Sequence, residues 1–171
     1  GRVLIEGRDI AALNPTQSAI FRRRKVGLVY QFYNLIPTLT VRQNILMPLL
    51  LDKKKPNQEY FDQLVNSLGI SGKLDALPDQ LSGGQQQRTA IARSLIYRPA
   101  LLLADEPTGN LDQKNAEEIM RLLEKVNRQG TTVLAVTHNQ ELVKYMHKRQ
   151  IVLRYGKVVR DLAREGLAYA R

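Results

Sequence analysis

Cysteine is absent from the 171 residues, so neither a disulfide framework nor a thiolate metal site is available, and a reducing, cytosolic setting fits. Long apolar runs are absent as well. The longest, residues 45–51, is interrupted by Pro48 and falls far short of the ~18 residues a membrane-spanning helix needs. No signal peptide opens the chain, and the expectation is a protein that neither spans a membrane nor is exported. Acids are scarce: 16 Asp and Glu stand against 26 Lys and Arg, for a formal net charge of +10. Such a surface draws polyanions, whether nucleotides, nucleic acid or anionic lipid headgroups. The excess concentrates at Arg22-Arg23-Arg24-Lys25 and at Lys53-Lys54-Lys55. The plainer reading of both clusters is a solvated face near helix ends, and charge alone does not choose a partner.

What is present is ordinary for a soluble globular protein, with 43% hydrophobic and 25% charged residues. The length suits one domain with a sizeable core, or a core plus a small subdomain. Short β-rich runs alternate with helical stretches. Val3-Leu4-Ile5 and residues 26–30, 101–104, 132–136, 151–153 and 157–159 read as strands. Residues 101–104 and 132–136 are apolar throughout, the pattern of parallel strands covered by helices on both faces. Tyr155-Gly156 between the last two runs predicts a hairpin, hence an antiparallel edge.

Helices fill the gaps. Asn14-Pro15-Thr16-Gln17 offers an N-cap, a proline at the first helical position and a glutamine three places after the cap. Thr40-Val41-Arg42-Gln43 repeats the capping-box spacing. Residues 58–68, 83–97, 116–128 and 140–146 complete the set, and between Thr40 and Tyr97 no segment reads as a strand. The expected architecture is α/β with a helical insertion in its middle.

Two stretches carry chemistry. Leu101-Leu102-Leu103-Ala104-Asp105-Glu106 ends an apolar strand on two carboxylates. Ligands of open α/β sheets bind beyond the carboxyl ends of the strands, where these acids would be presented. An Asp there can hold Mg²⁺, mostly through water, because that hard cation keeps its hydration shell. The adjacent Glu points the other way and could polarise an attacking water. Helix-capping or solvent-facing acids are the bland alternative. The second stretch is Leu81-Ser82-Gly83-Gly84-Gln85, continued by Gln86-Gln87-Arg88. Two glycines at a helix start let backbone N–H groups approach an anion, aided by the helix dipole, and Ser82 can donate a hydroxyl to a phosphate oxygen. A plain capping box explains Ser82 and Gln85 equally well, but not the whole pentapeptide with its continuation.

Taken together, LSGGQQQR followed by LLLADEPTGNLD closely resembles the nucleotide-binding domain of ATP-binding-cassette (ABC) transporters, over essentially the whole chain. Gln31, after the strand at 26–30, stands at that family's Q-loop glutamine; Asn110-Leu111-Asp112 matches its D-loop, and Thr137-His138 its switch histidine. Glu6-Gly7-Arg8-Asp9-Ile10 matches a stretch found downstream of the family's first helix. His147 has no motif context and reads as surface.

The resemblance implies a P-loop NTPase core of RecA-like type, with residues 1–31 and 99–171 in the core and 32–98 forming a helical subdomain that carries the signature. It implies ATP and Mg²⁺ as cofactors and a head-to-tail pair of such domains with two nucleotides between them. Catalytic roles fall to Glu106, His138 and Gln31, nucleotide contacts to Ser82, Gly83, Gly84, Gln85 and Asp112, and the metal to Asp105 and Gln31. A transmembrane permease is the further partner, no nucleic acid is expected, and the location is the cytoplasmic face of a bacterial cell membrane. The wording of the two motifs is most similar to the branch holding lipoprotein-release, macrolide-export and antimicrobial-peptide-resistance ATPases, with a cell-division relative.

One family element is missing from these residues. The pattern G-x-x-x-x-G-K-[ST], which cradles β- and γ-phosphates and supplies a Lys and a Mg²⁺-binding hydroxyl, does not occur. The chain begins without Met inside a recognisable pattern, so an N-terminally truncated chain or a fragment is the expectation. Such a chain should bind ATP weakly, hydrolyse it negligibly and expose apolar faces that favour self-association. Competing readings are a non-transport ATPase acting in cell division, a non-catalytic fragment, and a chromosome or DNA-repair ATPase. The last would carry long coiled coils or zinc modules, and neither heptads nor Cys are present.

Overall fold

The computed structural model describes residues 1–162; the end of the expected core segment 99–171 lies outside the described residues. The chain divides into two compact units, Gly1–Val136 and Thr137–Arg171.

The first unit opens on a small hairpin of β1 (Leu4–Ile5) and β2 (Arg8–Asp9), turned at Glu6 and Gly7 with φ of 49° and 75°. The helix α1 (Pro15–Lys25) follows, capped by Asn14 and Gln17 in the reciprocal bonds expected of them. Its last turn holds Arg22, Arg23, Arg24 and Lys25, where cations offset the partial negative charge of the carbonyl end. Then come β3 (Val26–Tyr30), α2 (Val41–Leu51), α3 (Gln58–Ser67), α4 (Gly83–Leu95), β4 (Leu101–Asp105), α5 (Gln113–Arg128) and β5 (Thr132–Val136). From Thr40 to Tyr97 the described elements are all helical. Among the described residues no helix is long and apolar enough to cross a membrane.

The sheet order is β3-β4-β5, parallel throughout, with Tyr30, Asp105 and Val136 side by side at the carboxyl end. This mixed α/β architecture is the expected one. One side of the sheet is packed tightly: Val29, Leu102 and Ala104 are buried. A Cβ on Gly27 would lie 2.9 Å from the Ser94 carbonyl and 2.6 Å from Leu102, so only glycine lets α4 come so close.

The opposite side differs from expectation. Residues 132–136 read as a strand covered on both faces, yet Leu134 is 51% and Val136 57% exposed. Leu28 and Tyr30, in the same rows, are also exposed. An apolar run records what a strand can bury, whereas neighbouring elements decide what it does bury.

The second unit holds α6 (Gln140–Met146), capped by Asn139, and the antiparallel pair β6 (Gln150–Arg154) and β7 (Lys157–Leu162). Tyr155 and Gly156 form the expected turn, both at positive φ (50° and 73°), which the twist of a two-residue hairpin favours. The pair forms a sheet of its own rather than an edge of the parallel one.

Candidate functional site

Asp105 is the last residue of β4 and is exposed at the carboxyl end of the central strand. Glu106 lies beyond the strand, so a turn, not strand alternation, sets its direction. Its φ is +45°, a left-handed conformation that L residues seldom adopt, and it is held there by two backbone bonds. Glu106 N–H donates to the Val136 carbonyl at 2.8 Å, and its own carbonyl accepts from Gly109 N–H at 3.1 Å.

Gln31 starts one strand away. Its Nε2 donates to Asn110 Oδ1 at 3.2 Å, and Asn110 Nδ2 returns a bond to the Gln31 carbonyl at 3.1 Å. A Cβ on Gly109 would sit 2.8 Å from Gln31 Nε2, so the glycine gives that side chain its room. The segment after Gln31 is pinned by Arg93, whose guanidinium donates to the carbonyls of Asn34 (2.6 Å) and Tyr33 (3.0 Å). Asn44, fully buried, adds bonds to Ile36 and Leu39.

Ser82 is the N-cap of α4, accepting from Gln85 N–H while Gln85 Oε1 accepts from Ser82 N–H at 3.0 Å. The capping-box reading is therefore correct at the level of local structure. It does not explain the glycines. A Cβ on Gly83 would lie 2.7 Å from Tyr33 Oη, and one on Gly84 2.7 Å from Asn115 Oδ1. Asn115 is itself clamped by Asp112, which accepts from its backbone N–H at 2.9 Å and from its Nδ2 at 2.6 Å. Those bonds, backbone first, hold the Asp112 carboxyl below its ordinary range, so it stays ionised at the N-terminus of α5.

Gln87 ties the pieces together. It is fully buried, and its Nε2 donates to the carbonyls of Pro107 (2.6 Å) and Tyr30 (3.3 Å). Both neighbours are acceptors, which fixes the amide nitrogen on that side. Gln87 Oε1 is left without a hydrogen-bond partner. The signature helix is thus bonded to the residue before Gln31 and to the residue after Glu106. Sequence reasoning assigned no role to Gln87, Tyr33, Asn110 or Asn115, although three of the four lie in or beside quoted motifs.

His138 lies two residues past the end of β5, is exposed, and belongs to the second compact unit. His147 is exposed at the end of α6, as a surface reading requires. Among the described residues no three His, Cys, Asp or Glu side chains group to hold a metal ion. A cation at Asp105 would therefore take most of its ligands from water and substrate.

Sequence comparison agrees with this geometry. The profile of the ABC transporter family matches residues 1–109. The chain belongs to that family, as an ATP-binding cassette. The cassette is 43% identical over 166 residues to the lipoprotein-releasing system ATP-binding protein LolD of Aquifex aeolicus, covering 96% of this chain and 74% of the relative. Its fold is similar to the ABC cassette MJ0796 in two dimeric structures. One is a post-hydrolysis state bound to ADP and Pi, with TM-score 0.82, 37% identity, and coverage of 98% of this chain and 75% of that one. The other matches with TM-score 0.81 at the same identity and coverage.

Proposed function

We propose that this cassette is the ATP-hydrolysing subunit of a transporter that exports or releases a substrate through a membrane permease, working at the cytoplasmic face of the membrane. The observation that supports it most is the bonded set Gln31–Asn110, Gln87–Pro107 and Asp112–Asn115, with Asn115 against Gly84, which gathers Gln31, the signature helix, the residues after Asp105 and the Asn110–Asp112 loop. In this reading residues 1–31 and 99–171 make the ATPase core, and 32–98 the helical subdomain.

Asp105, with the Gln31 amide oxygen, offers the hard oxygen donors that Mg²⁺ prefers, and the ion when bound neutralises phosphate charge. Glu106 accepts a proton from the attacking water, held in position by its strained turn. His138 takes the role of the family's switch histidine toward the γ-phosphate, as the Thr137-His138 match implies. Ser82, with the N–H groups of Gly83 and Gly84 and the side-chain amide of Gln85, donates to the nucleotide of a second cassette, arranged head to tail. ATP then acts as an adhesive between subunits that ADP cannot replace. Because G-x-x-x-x-G-K-[ST] does not occur among these residues, this chain by itself binds ATP weakly and turns it over negligibly. The Aquifex relative, named for lipoprotein release, supports release or export as the direction.

The test uses the chain extended upstream by the matching segment of the Aquifex relative. Glu106→Gln should trap an ATP-bound dimer in size-exclusion chromatography, with hydrolysis lowered at least ~100-fold, as for loss of a general base. Ser82→Arg should leave nucleotide binding intact and prevent dimerisation. Parental hydrolysis by the Gln variant would remove Glu106 from its role.

A further inference from the structure

The two basic runs, separated in sequence, meet in the fold. The side chain of Asp52, at the end of α2, is almost fully covered and accepts from Arg23 and from Arg24 Nε at 2.6 Å. Tyr97 Oη donates to the same carboxylate at 2.5 Å, and Lys54 Nζ lies 5.4 Å above the Tyr97 ring. Arg22 through Lys25 thus sit beside Lys53, Lys54 and Lys55. Two carboxylates pair with this set among the described residues: Asp52, and Glu6 with Lys25 at 2.8 Å. Lys53, Lys54 and Lys55 therefore carry charge that no carboxylate among the described residues compensates.

The chain reaches that position at a conformational cost. Lys53 has φ of +53°, with Lys53 N–H bonded to the Leu50 carbonyl and Lys54 N–H to the Leu49 carbonyl. This is a Schellman cap, whose left-handed residue is ordinarily glycine. Directly before it, Leu50 and Leu51 are 62% and 61% exposed. Lysines that only offset the carbonyl end of α2 would account for the charge but not for two leucines held in water beside it.

We propose that Leu50, Leu51, Lys53, Lys54 and Lys55, backed by Arg22, form a docking surface for an anionic lipid bilayer. Apolar side chains next to a dense cationic run match the boundary between acyl chains and headgroups, where burial and charge attraction add. Lysine, a compact and mobile point charge, suits a headgroup layer without fixed geometry. The two arginines that could fork onto a defined partner are held by Asp52 instead. Lysine is also depleted at protein–protein interfaces. A nucleic-acid strand would want open aromatic faces for stacking. Here Lys54 covers Tyr97, and Arg98 lies 4.0 Å over Tyr60.

The experiment is cosedimentation of the whole chain, without nucleotide, with vesicles of phosphatidylcholine alone and of equal parts phosphatidylcholine and phosphatidylglycerol. Binding is expected to the mixed vesicles only, weakening with added salt. Combined Lys53→Gln, Lys54→Gln and Lys55→Gln should lower affinity roughly 100-fold, from the usual gain per lysine near an anionic membrane. Leu50→Ser with Leu51→Ser should lower it about tenfold or more. A control, Lys73→Gln, Lys125→Gln and Lys157→Gln, removes equal charge elsewhere and should retain binding. Equal loss in the control, unchanged binding by the lysine triple variant, or tighter binding to duplex DNA or polyglutamate than to the mixed vesicles would overturn the proposal. Nucleotide plays no part, so these outcomes are separate from those of the ATPase reading.

Discussion

The two faces of the β3-β4-β5 sheet share the same strands and face different surroundings. On one, Gly27, Val29, Leu102 and Ala104 are buried, and α4 comes close enough that Gly27 admits no side chain. On the other, Leu28, Leu134 and Val136 project from equally apolar strands and stay exposed. The same residue type therefore contributes differently according to what lies over it, and the signature helix is fixed from the packed side.

The sharpest way to break that contrast is to shorten a leucine on each face. Leu102→Ala should cost about 3 kcal/mol in urea denaturation, through lost burial and a residual cavity, while Leu134→Ala should cost under about 0.5 kcal/mol. Equal costs would mean that the second face is covered in solution.

A smaller effect is expected at Asp52, which joins α1, α2 and Tyr97. Arg24 first, then Tyr97, hold its carboxyl well below the ordinary carboxylate range, and burial together with Asp52 pushes the Tyr97 hydroxyl up to about 12. A depressed folded-state pKa gives stability that is complete above the unfolded value, about 4, and is lost as pH falls below it. Asp52→Asn should cost about 2 kcal/mol near neutral pH, and the gap in melting temperature between parent and variant should shrink as pH drops toward about 3. A gap independent of pH would contradict the ion-pair account.

The smallest effect on folding, though visible in solution behaviour, is on the uncovered face. The chain should self-associate with rising concentration in sedimentation velocity, and Leu134→Ser with Val136→Ser should reduce that association with little change in stability.

Much of this was legible from sequence, for local reasons. The bounds of β3, β5 and α6 and the capping boxes at Asn14, Thr40 and Ser82 follow from periodicity and side-chain chemistry within a few residues. A strand at Val3-Leu4-Ile5 is legible, but its pairing with the two-residue β2 is not, because so short a strand carries no periodicity and the Glu6-Gly7 turn lacks the usual Asn-Gly or Asp-Gly signal. The motif residues stand out in the sequence by their order and wording, but the reason for their glycines does not. Gly83 answers to Tyr33, Gly84 to Asn115 and Gly109 to Gln31, each a partner distant in sequence and adjacent only in the fold. The left-handed turn at Glu106 was equally invisible, since it depends on a bond to Val136 from a different strand.

We propose that these residues, among which G-x-x-x-x-G-K-[ST] does not occur, hold phosphate only weakly by themselves. Isothermal titration of the chain with Mg·ATP tests it directly. The account predicts no saturable binding in the micromolar range, and a Kd of order 1 mM or weaker. Saturable micromolar binding, abolished by Asp105→Asn, would contradict it.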